Sequence, residues 1–150
     1  MKLIKSPEPI VKNPSQSTLF LAGSIEMGIA EDWQTKVVKS LESTDWVILS
    51  PRREIWDPLW EQSIENQLFR EQVEWELAGL EFADKVLMYF SPNTKSPISL
   101  LELGLCAKSK EMMVVCPEGF WRKGNVEIVC KKFDIPLYEN LEEAMGLLKN

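Results

Sequence analysis

Short apolar runs alternate with segments of helical periodicity along most of this chain. Continuous apolar runs predict buried strands over 18–22, 46–49, 85–90, 112–116 and 135–138. Apolar residues three or four positions apart predict helices over 30–42, 61–82, 97–109, 124–133 and 141–148. Because the strand runs do not alternate with polar residues, we expect both faces of each strand to be buried, as in parallel sheets. The pattern predicts a doubly wound α/β fold of the flavodoxin-like or Rossmann-like kind, with a five-stranded parallel sheet and helices on both faces.

One domain accounts for most of the chain. The sequence has 150 residues, which suits a single domain able to bury its own core. Residues 1–17 contain three of the nine prolines and several polar residues, so we predict an N-terminal leader or edge segment there. No repeat and no glycine- or serine-rich linker divides the remainder, and we assign residues 18–150 to one domain.

Charge and histidine content exclude several classes of function. The chain carries 17 Lys and Arg against 23 Asp and Glu, a formal net charge of −6. A protein that tracks a nucleic acid backbone would carry a basic patch, so we expect no nucleic acid partner. Histidine is absent, which excludes Ser-His-Asp machinery, histidine-ligated zinc and imidazole proton shuttles. Catalysis would therefore use carboxylates, thiols, hydroxyls, amines or a cofactor.

The cysteine spacing and the length of the apolar runs indicate where in the cell the protein is located. Cys106, Cys116 and Cys130 have no CxxC spacing, so we interpret them as free thiols in a reducing environment. No stretch reaches the ~18 apolar residues of a membrane helix, and the N-terminus lacks the apolar run of a signal peptide. We expect a cytoplasmic protein without membrane contact and without a bound metal.

The predicted sheet directs attention to the loops that follow its strands. In open parallel sheets, ligands bind in the crevice at the carboxyl ends of the strands. These ends lie after Leu21, Leu49, Phe90 and Cys116. The search for functional residues is thereby reduced to a few loops.

The first of these loops, 22–28, contains Gly23, Ser24 and Gly28. Its spacing is not GxGxxG, and it is not a P-loop because no GK[ST] follows. Gly23 and Ser24 are candidate substrate-binding residues, since bare backbone lets a sugar or phosphate approach. A tight strand-to-helix turn is the alternative.

The second loop, 50–60, combines two arginines with two tryptophans. Arg52 and Arg53 are candidates to clamp a phosphate, and Trp56 and Trp60 are candidates to stack on a nucleobase. Asp57, between the tryptophans, is a further candidate for substrate binding. The alternative is a lid packed on its own domain, with the arginines in surface ion pairs.

The third loop leads into the helix predicted over 97–109 and carries the strongest candidate. Ser96 is a good N-cap, and Pro97 suits the first helical position. Glu102 follows one turn after Ser99 among leucines, where a carboxylate is costly to bury without a partner. Gly104 lets another group approach the helix closely. We interpret Glu102 as a nucleophile or general base, with Ser96 and Ser99 as substrate contacts. An exposed glutamate on an amphipathic helix is the alternative.

The helix predicted over 61–82 offers a second carboxylate. Its buried stripe is predicted from Val73, Leu77 and Leu80, and Glu76, three positions after Val73, lies at the edge of that stripe. The other glutamates of 70–76 are expected on a solvated face. Glu76 is therefore the glutamate of this segment expected to point into a site.

The last loop, 117–126, follows the fourth strand and combines aromatic residues with a cation pair. Asn125 precedes the next helix and is a candidate contact to a base. A surface turn is the alternative.

Together these segments resemble the nucleoside 2-deoxyribosyltransferase-like family over about residues 18–138. The resemblance rests on FLAGSI after the first strand, PRR after the second, EQVEWEL and AD before the third, SPISLLELGLCA after it and CPEGFWRKGNV after the fourth. It implies a doubly wound fold and an enzyme that cleaves the N-glycosidic bond of 2′-deoxynucleosides without cofactor or metal. It also implies a small-molecule nucleoside or nucleotide substrate and a homo-oligomer, because the family's sites are often completed by a neighbouring subunit.

The resemblance also assigns roles at matching positions. Glu102, in an ExG helix motif, matches the nucleophile. Glu76, eight positions before Asp84, matches an acidic residue, usually Asp, that assists at the base and sugar. Phe20 stands where transferases carry a tyrosine that orients the nucleophile. Ser96 stands where transferases carry an aspartate for the sugar 5′-hydroxyl, and where related deoxynucleoside 5′-monophosphate hydrolases carry a phosphate-binding serine.

The implied chemistry suits a chain without histidine. A retaining N-glycosidic exchange needs one carboxylate nucleophile and an acid for the leaving base, by analogy with retaining glycosidases. We expect Glu102 to attack C1′ and hold the deoxyribosyl group as an ester. We expect Glu76, with its pKa raised by burial, to protonate the base.

The fate of that ester separates the possible activities. Trp56, Trp60, Phe120 and Trp121 are expected to roof the crevice and to favour a flat acceptor base over water. We therefore predict transfer to a second base, with hydrolysis of a 5′-monophosphate as the alternative. A nucleotide-binding module without turnover is a further alternative. A phosphoribohydrolase is disfavoured because no glycine-rich PGGxGTxxE loop precedes the glutamate.

Overall fold

Strands and helices alternate along the part of the chain that the computed structural model describes, residues 1–11, 13–25, 30–53 and 56–150. The strands are β1 (Lys2–Lys5), β2 (Thr18–Gly23), β3 (Val47–Ser50), β4 (Lys85–Tyr89), β5 (Glu111–Val115) and β6 (Leu137–Tyr138). The helices are α1 (Trp33–Ser40), α2 (Gln67–Phe82), α3 (Pro97–Cys106), α4 (Lys123–Lys132) and α5 (Leu141–Leu148). None of these helices is long and apolar enough to cross a membrane.

The strands form one parallel sheet with the order β1-β3-β2-β4-β5-β6. This order confirms the doubly wound α/β fold, although the described residues form six strands where five were predicted. The additional strand is β1, which pairs with β3 from Lys2 opposite Val47 to Lys5 opposite Ser50. Within this edge strand only Ile4 is fully buried. No continuous apolar run marks the strand, which is why the hydrophobic pattern missed it.

Two apolar clusters fill the two faces of the sheet. Alternate residues of a strand point to opposite faces, so Phe20 and Ala22 join one cluster while Leu19 and Leu21 join the other. The first cluster lies under α2, α3 and α4, and the second lies under α1 and α5. The central strands are therefore buried on both sides, as their apolar runs indicate.

Helix α2 is shorter than predicted and turns a different face to the sheet. It begins at Gln67, where the side chain of Asn66 accepts a hydrogen bond from the Phe69 N–H at 3.1 Å. The predicted stripe is only partly right, because Leu77 is 47% exposed while Gly79 and Leu80 are buried. The cause is close packing, since a Cβ at position 79 would lie 2.5 Å from the ring of Phe20.

Candidate active site

The crevice of this sheet lies where β2 and β4, which are neighbours, send their connections to opposite faces. The connection from β2 leads to α1 and that from β4 leads to α3, and α1 and α3 cover different faces. Such a switch point is the ordinary ligand site of open parallel sheets. Gly23 and Ser24 follow β2, and residues 90–96 follow β4.

Gly23 ends β2 in a conformation that requires glycine. Its φ is +138°, and a Cβ there would lie 2.2 Å from the carbonyl oxygen of Tyr89. The ends of β2 and β4 can therefore approach closely enough for the Ser24 N–H to donate to the same carbonyl oxygen at 2.9 Å. Gly28 of the same loop lies outside the described residues.

Three hydroxyl groups meet at the start of α3. The Oγ of Ser24 lies 2.6 Å from the Oγ of Ser96 and 3.0 Å from Oγ1 of Thr94, and it accepts a hydrogen bond from the Ser91 N–H at 2.9 Å. The hydroxyls of Thr94 and Ser96 are 2.8 Å apart. Thr94 and Ser91 were missed by sequence reasoning, although the hydroxyl residues that follow β4 are a usable signal.

Ser96 is not the side-chain cap that the sequence predicts. Its backbone is left-handed, with a φ of 46°, and its hydroxyl is directed to Ser24 and Thr94 rather than to the first turn of α3. Pro97 does occupy the first position of the helix, as predicted. The left-handed backbone therefore directs this buried hydroxyl to Ser24 and Thr94.

Glu102 lies in the second turn of α3 and is buried, with 8% of its surface exposed. Ser99, one turn earlier on the same face, is buried as well. Burial, and then the negative charge of Glu76, raises the pKa of Glu102 to about 8. The predicted alternative, an exposed glutamate on an amphipathic helix, is therefore wrong.

Glu76 of α2 forms the other half of this carboxylate pair. Burial raises the pKa of Glu76, while a hydrogen bond from Gln72 Nε2 to its Oε1 at 2.7 Å and the charge of Arg53 act in the opposite direction. Because like charges disfavour ionisation, the charge of Glu76 helps Glu102 to retain its proton at a pH where an isolated glutamate has lost it. The neighbouring Glu71 and Glu74 are exposed, as the sequence predicts.

The two adjacent arginines point to different faces of the sheet. Arg52 interacts with the start of α1, where its Nη1 lies 3.4 Å from the carbonyl oxygen of Glu31 and its Nε lies 3.8 Å from Asp32 Oδ1. Arg53 lies on the other face, beside Glu76. Consecutive residues of an extended chain alternate in direction, so a common phosphate clamp is not formed by this pair.

Arg53 belongs to an aromatic cluster in the loop after β3. The rings of Trp56 and Trp60 are 4.9 Å apart, and the guanidinium of Arg53 lies 5.3 Å from the ring centre of Trp60. Within the described part of the chain, Arg53 Nη1 and Trp56 Nε1 are buried donors without an acceptor. Buried donors of this kind are costly unless a ligand or water accepts from them.

Other predicted site residues lie away from the carboxylate pair. Asp57 is exposed, and its Oδ1 accepts from the Leu59 N–H at 2.8 Å, so it builds a turn. Asn125 is exposed and lines a groove between α3 and α4 together with Trp121 and Gly104. At about 100° per residue, the groove-lining positions of α3 lie on the face opposite Glu102. A Cβ at Gly104 would meet no described atom within 4 Å, so the close approach predicted there is not made within the chain.

The aromatic residues expected to cover the crevice lie in different parts of the structure. Phe120 is buried and packs on Phe90 with ring centres 4.8 Å apart, so it belongs to the core. Trp121 is about half exposed and lies between the cations of Lys95 and Arg122, at 4.3 and 4.2 Å from its ring centre. Trp56 and Trp60 remain as aromatic candidates near Arg53.

Burial is the dominant influence on the three cysteines. Cys106, Cys116 and Cys130 are buried and unpaired, as predicted, and burial raises the pKa of each thiol. Protonated, buried thiols are poor nucleophiles and poor metal ligands. Among the described residues, no group of three or more Cys, Asp or Glu side chains is arranged to hold a metal ion.

The structure is a doubly wound domain in which a buried glutamate, Glu102, interacts with a second, partly buried glutamate, Glu76. Residues 16–120 match the family model described as nucleoside 2-deoxyribosyltransferase like. The chain belongs to the nucleoside 2-deoxyribosyltransferase-like family, which confirms the resemblance read from its motifs. No curated protein matches the chain.

A solved structure extends the likeness of fold. The crystal structure of a conserved protein from Enterococcus faecalis V583 superimposes with a TM-score of 0.64, covering 90% of this chain and 98% of that one. The sequences are 9% identical. At this identity the comparison concerns the fold alone.

Proposed function

We propose that this protein cleaves the N-glycosidic bond of 2′-deoxynucleosides or their 5′-monophosphates and transfers the deoxyribosyl group to another nucleobase. The observation that carries the proposal is the buried Glu102, on the helix that follows β4, whose pKa is raised by burial and by the nearby, partly buried Glu76. Membership of the family supports the same class of reaction. The chemistry needs one carboxylate of the pair ionised and the other protonated, and the burial of Glu102 beside the charge of Glu76 favours that state.

The two carboxylates have complementary roles. An oxygen of Glu102 attacks C1′ and forms an ester while the bond from C1′ to the base nitrogen breaks. Glu76 gives its proton to the departing base. In the second half, a nitrogen of the acceptor base attacks C1′, the ester bond breaks, and the acceptor's proton returns to Glu76.

This assignment predicts the pH dependence of kcat/KM. The pair is active with one proton, which Glu102 holds in the free enzyme because its pKa is raised to about 8. We propose that this proton moves to Glu76 when substrate binds, so activity falls when a second proton binds at low pH and when the last proton leaves at about pH 8. In Glu76→Gln no carboxylic acid remains to protonate the base, so we expect the alkaline limb to disappear and the remaining activity to be lower, while burial still raises the pKa of Glu102. An unchanged alkaline limb in that variant would remove Glu76 from the mechanism.

A 5′-monophosphate is favoured by the hydroxyl groups at the start of α3. Ser24, Thr94 and Ser96 present uncharged groups there, beside the positive end of the helix dipole. We predict that Ser96→Asp lowers the use of monophosphates at least tenfold relative to nucleosides, because a carboxylate repels phosphate. Ser109→Asp, on the exposed turn after α3, is the matched control. Equal loss with both substrates would contradict the phosphate role.

Transfer is distinguished from hydrolysis by its product. The ring pair of Trp56 and Trp60, together with the buried donors of Arg53 and Trp56, supports recognition of a flat base with acceptor atoms. The hydroxyl groups at Ser24 and Ser96 instead favour the second candidate, hydrolysis of a 5′-monophosphate. Incubation of each deoxynucleoside and monophosphate with an excess of a different free base, followed by chromatography, separates them. A new nucleoside indicates transfer, sugar alone indicates hydrolysis, and no base release favours a binding module.

We also propose a homo-oligomer in the cytoplasm. Helix α3 exposes Ile98, Leu101 and Leu105, each more than half exposed and all on one face of the helix. The unpaired buried thiols support a reducing compartment. Light scattering of the wild type and of Leu101→Glu tests the oligomer, and an unchanged mass in the variant contradicts a role for this face.

A further inference from the structure

The amide of Gln72 makes three hydrogen bonds in the buried space between α2 and the sheet. Its Nε2 donates to the Pro51 carbonyl oxygen at 3.0 Å and to Glu76 Oε1 at 2.7 Å, and its Oε1 accepts from Ser6 Oγ at 2.6 Å. Gln72 is 3% exposed and Ser6 is 6% exposed. The amide thus links α2, the chain after β3 and the chain after β1.

The partners determine which way the amide faces. The Pro51 oxygen is a carbonyl, which only accepts, and Glu76 Oε1 accepts as well when it is ionised. A reversed amide would set the Gln72 oxygen against both of these oxygens. The Ser6 hydroxyl donates to Oε1 and supports the same orientation. The N–H directed at Glu76 is therefore imposed by the surrounding fold.

An N–H fixed on Oε1 makes the two oxygens of Glu76 unequal. A proton on Oε1 would face that N–H and lose the hydrogen bond, so the proton is better placed on Oε2. The other charged groups that act on this carboxylate are Glu102 of α3 and Arg53 after β3. Neither of these forms a described hydrogen bond that would compete for Oε1.

We propose that Gln72, held by Ser6 and Pro51, is a positioning residue that leaves Oε2 of Glu76 as the oxygen that carries and delivers the proton. The proposal rests on the proposed function in taking Glu76 as the acid. It also makes the N-terminal segment through Ser6 part of the site, although that segment looked peripheral in the sequence.

Helix α2 contains its own control. Gln67 Nε2 donates to Glu71 Oε1 at 2.8 Å with the same spacing of four residues, but both side chains are exposed. Gln72→Met and Gln67→Met therefore remove the same bond from a buried and an exposed pair. Ser6→Ala loosens Gln72 without altering α2, and Ser17→Ala, at an exposed position, is its control.

The experiment follows the Glu76 carboxyl through a pH titration by carbon-detected NMR, alongside the pH profile of kcat/KM for base release. We expect Gln72→Met to move the Glu76 titration to higher pH, Ser6→Ala to move it less in the same direction, and both controls to leave it in place. The alkaline limb of kcat/KM moves with it, and kcat falls about tenfold to a hundredfold because the proton is delivered from a less fixed oxygen.

The two readouts separate this proposal from the proposed function. If no substrate releases its base, the proposed function fails, while the NMR titration still tests the role of Gln72. A Glu76 titration that is the same in wild type, Gln72→Met and Ser6→Ala overturns the positioning role. If Gln72→Met does not fold, Ser6→Ala alone decides, because it leaves the helix intact.

Discussion

The two ends of the sheet treat their charged groups in opposite ways. At the amino ends of the strands, Lys85 Nζ lies 2.7 Å from Glu111 Oε1, and these residues begin adjacent strands in register. Lys110 Nζ donates to the carbonyl oxygens of Glu81 and Ala83, where α2 ends. Both of these cations therefore have oxygen partners.

At the carboxyl ends the buried charges are set against each other. Glu102 and Glu76 raise the free energy of the doubly ionised pair, and the partial compensation for Glu76 comes from Gln72 and Arg53. Partnered groups of opposite charge add to stability, whereas like charges in a buried site store free energy that a ligand can relieve. The amino ends therefore pair charges in a way that supports the fold, whereas the carboxyl ends hold the unfavourable carboxylates on which the proposed function depends.

The largest expected effect comes from a substitution at the carboxyl ends of the strands. Glu102→Gln keeps the shape of the side chain but removes the nucleophile, so we expect base release to fall by about a thousandfold or more, each ~1.4 kcal/mol of barrier being tenfold. Turnover on deoxynucleosides and their 5′-monophosphates measures this. Glu127→Gln, exposed on α4, is the control. Wild-type turnover in Glu102→Gln would eliminate the covalent role.

A second effect of the same variant concerns stability. The folded-state pKa of Glu102 is raised to about 8 from an ordinary 4.5, so the fold binds this proton more tightly than the unfolded chain does. The free energy of unfolding therefore decreases as pH rises from about 4.5 to about 8, and the loss is complete above pH 8.

We accordingly expect Glu102→Gln to be more stable than the wild type by up to a few kcal/mol at pH 9, and equally stable at pH 4. Urea unfolding at both pH values gives the difference. A variant that is less stable than the wild type at pH 9 would contradict the buried, unfavourable charge.

The smallest expected effect lies at the other end of the sheet. Lys110→Met removes the cation that caps the last carbonyls of α2, and we expect it to lower the free energy of unfolding by about 1–2 kcal/mol. Its turnover should match the wild type, because the site lies at the opposite ends of the strands. Urea unfolding tests the loss of stability, and base release by the same preparation tests the turnover. Reduced turnover of the fully folded variant would contradict the separation of stability and activity between the two ends of the sheet.

The hydrophobic pattern predicted the five helices, five of the six described strands and the loops that follow the strands. Apolar runs without alternation predict strands buried on both faces, and parallel strands bring the ends after Leu21 and Phe90 to one edge. Glu102 was selected as a candidate in this way, and Pro97 was placed correctly at the start of α3. These inferences succeed because they depend on periodicity and on positions close in the chain.

Contacts between residues far apart in the sequence were visible in the folded structure alone. The buried face of α2 follows from Gly79 packing on Phe20, 59 positions away in sequence, and not from the spacing of leucines alone. From its sequence context Gln72 would be placed on the surface, but in the structure its amide is hydrogen-bonded to Ser6 and Pro51. The hydrophobic pattern around a residue shows which face of its helix or strand is apolar. It does not show which polar group from a distant part of the chain will lie beside that residue, because the folded geometry sets that contact.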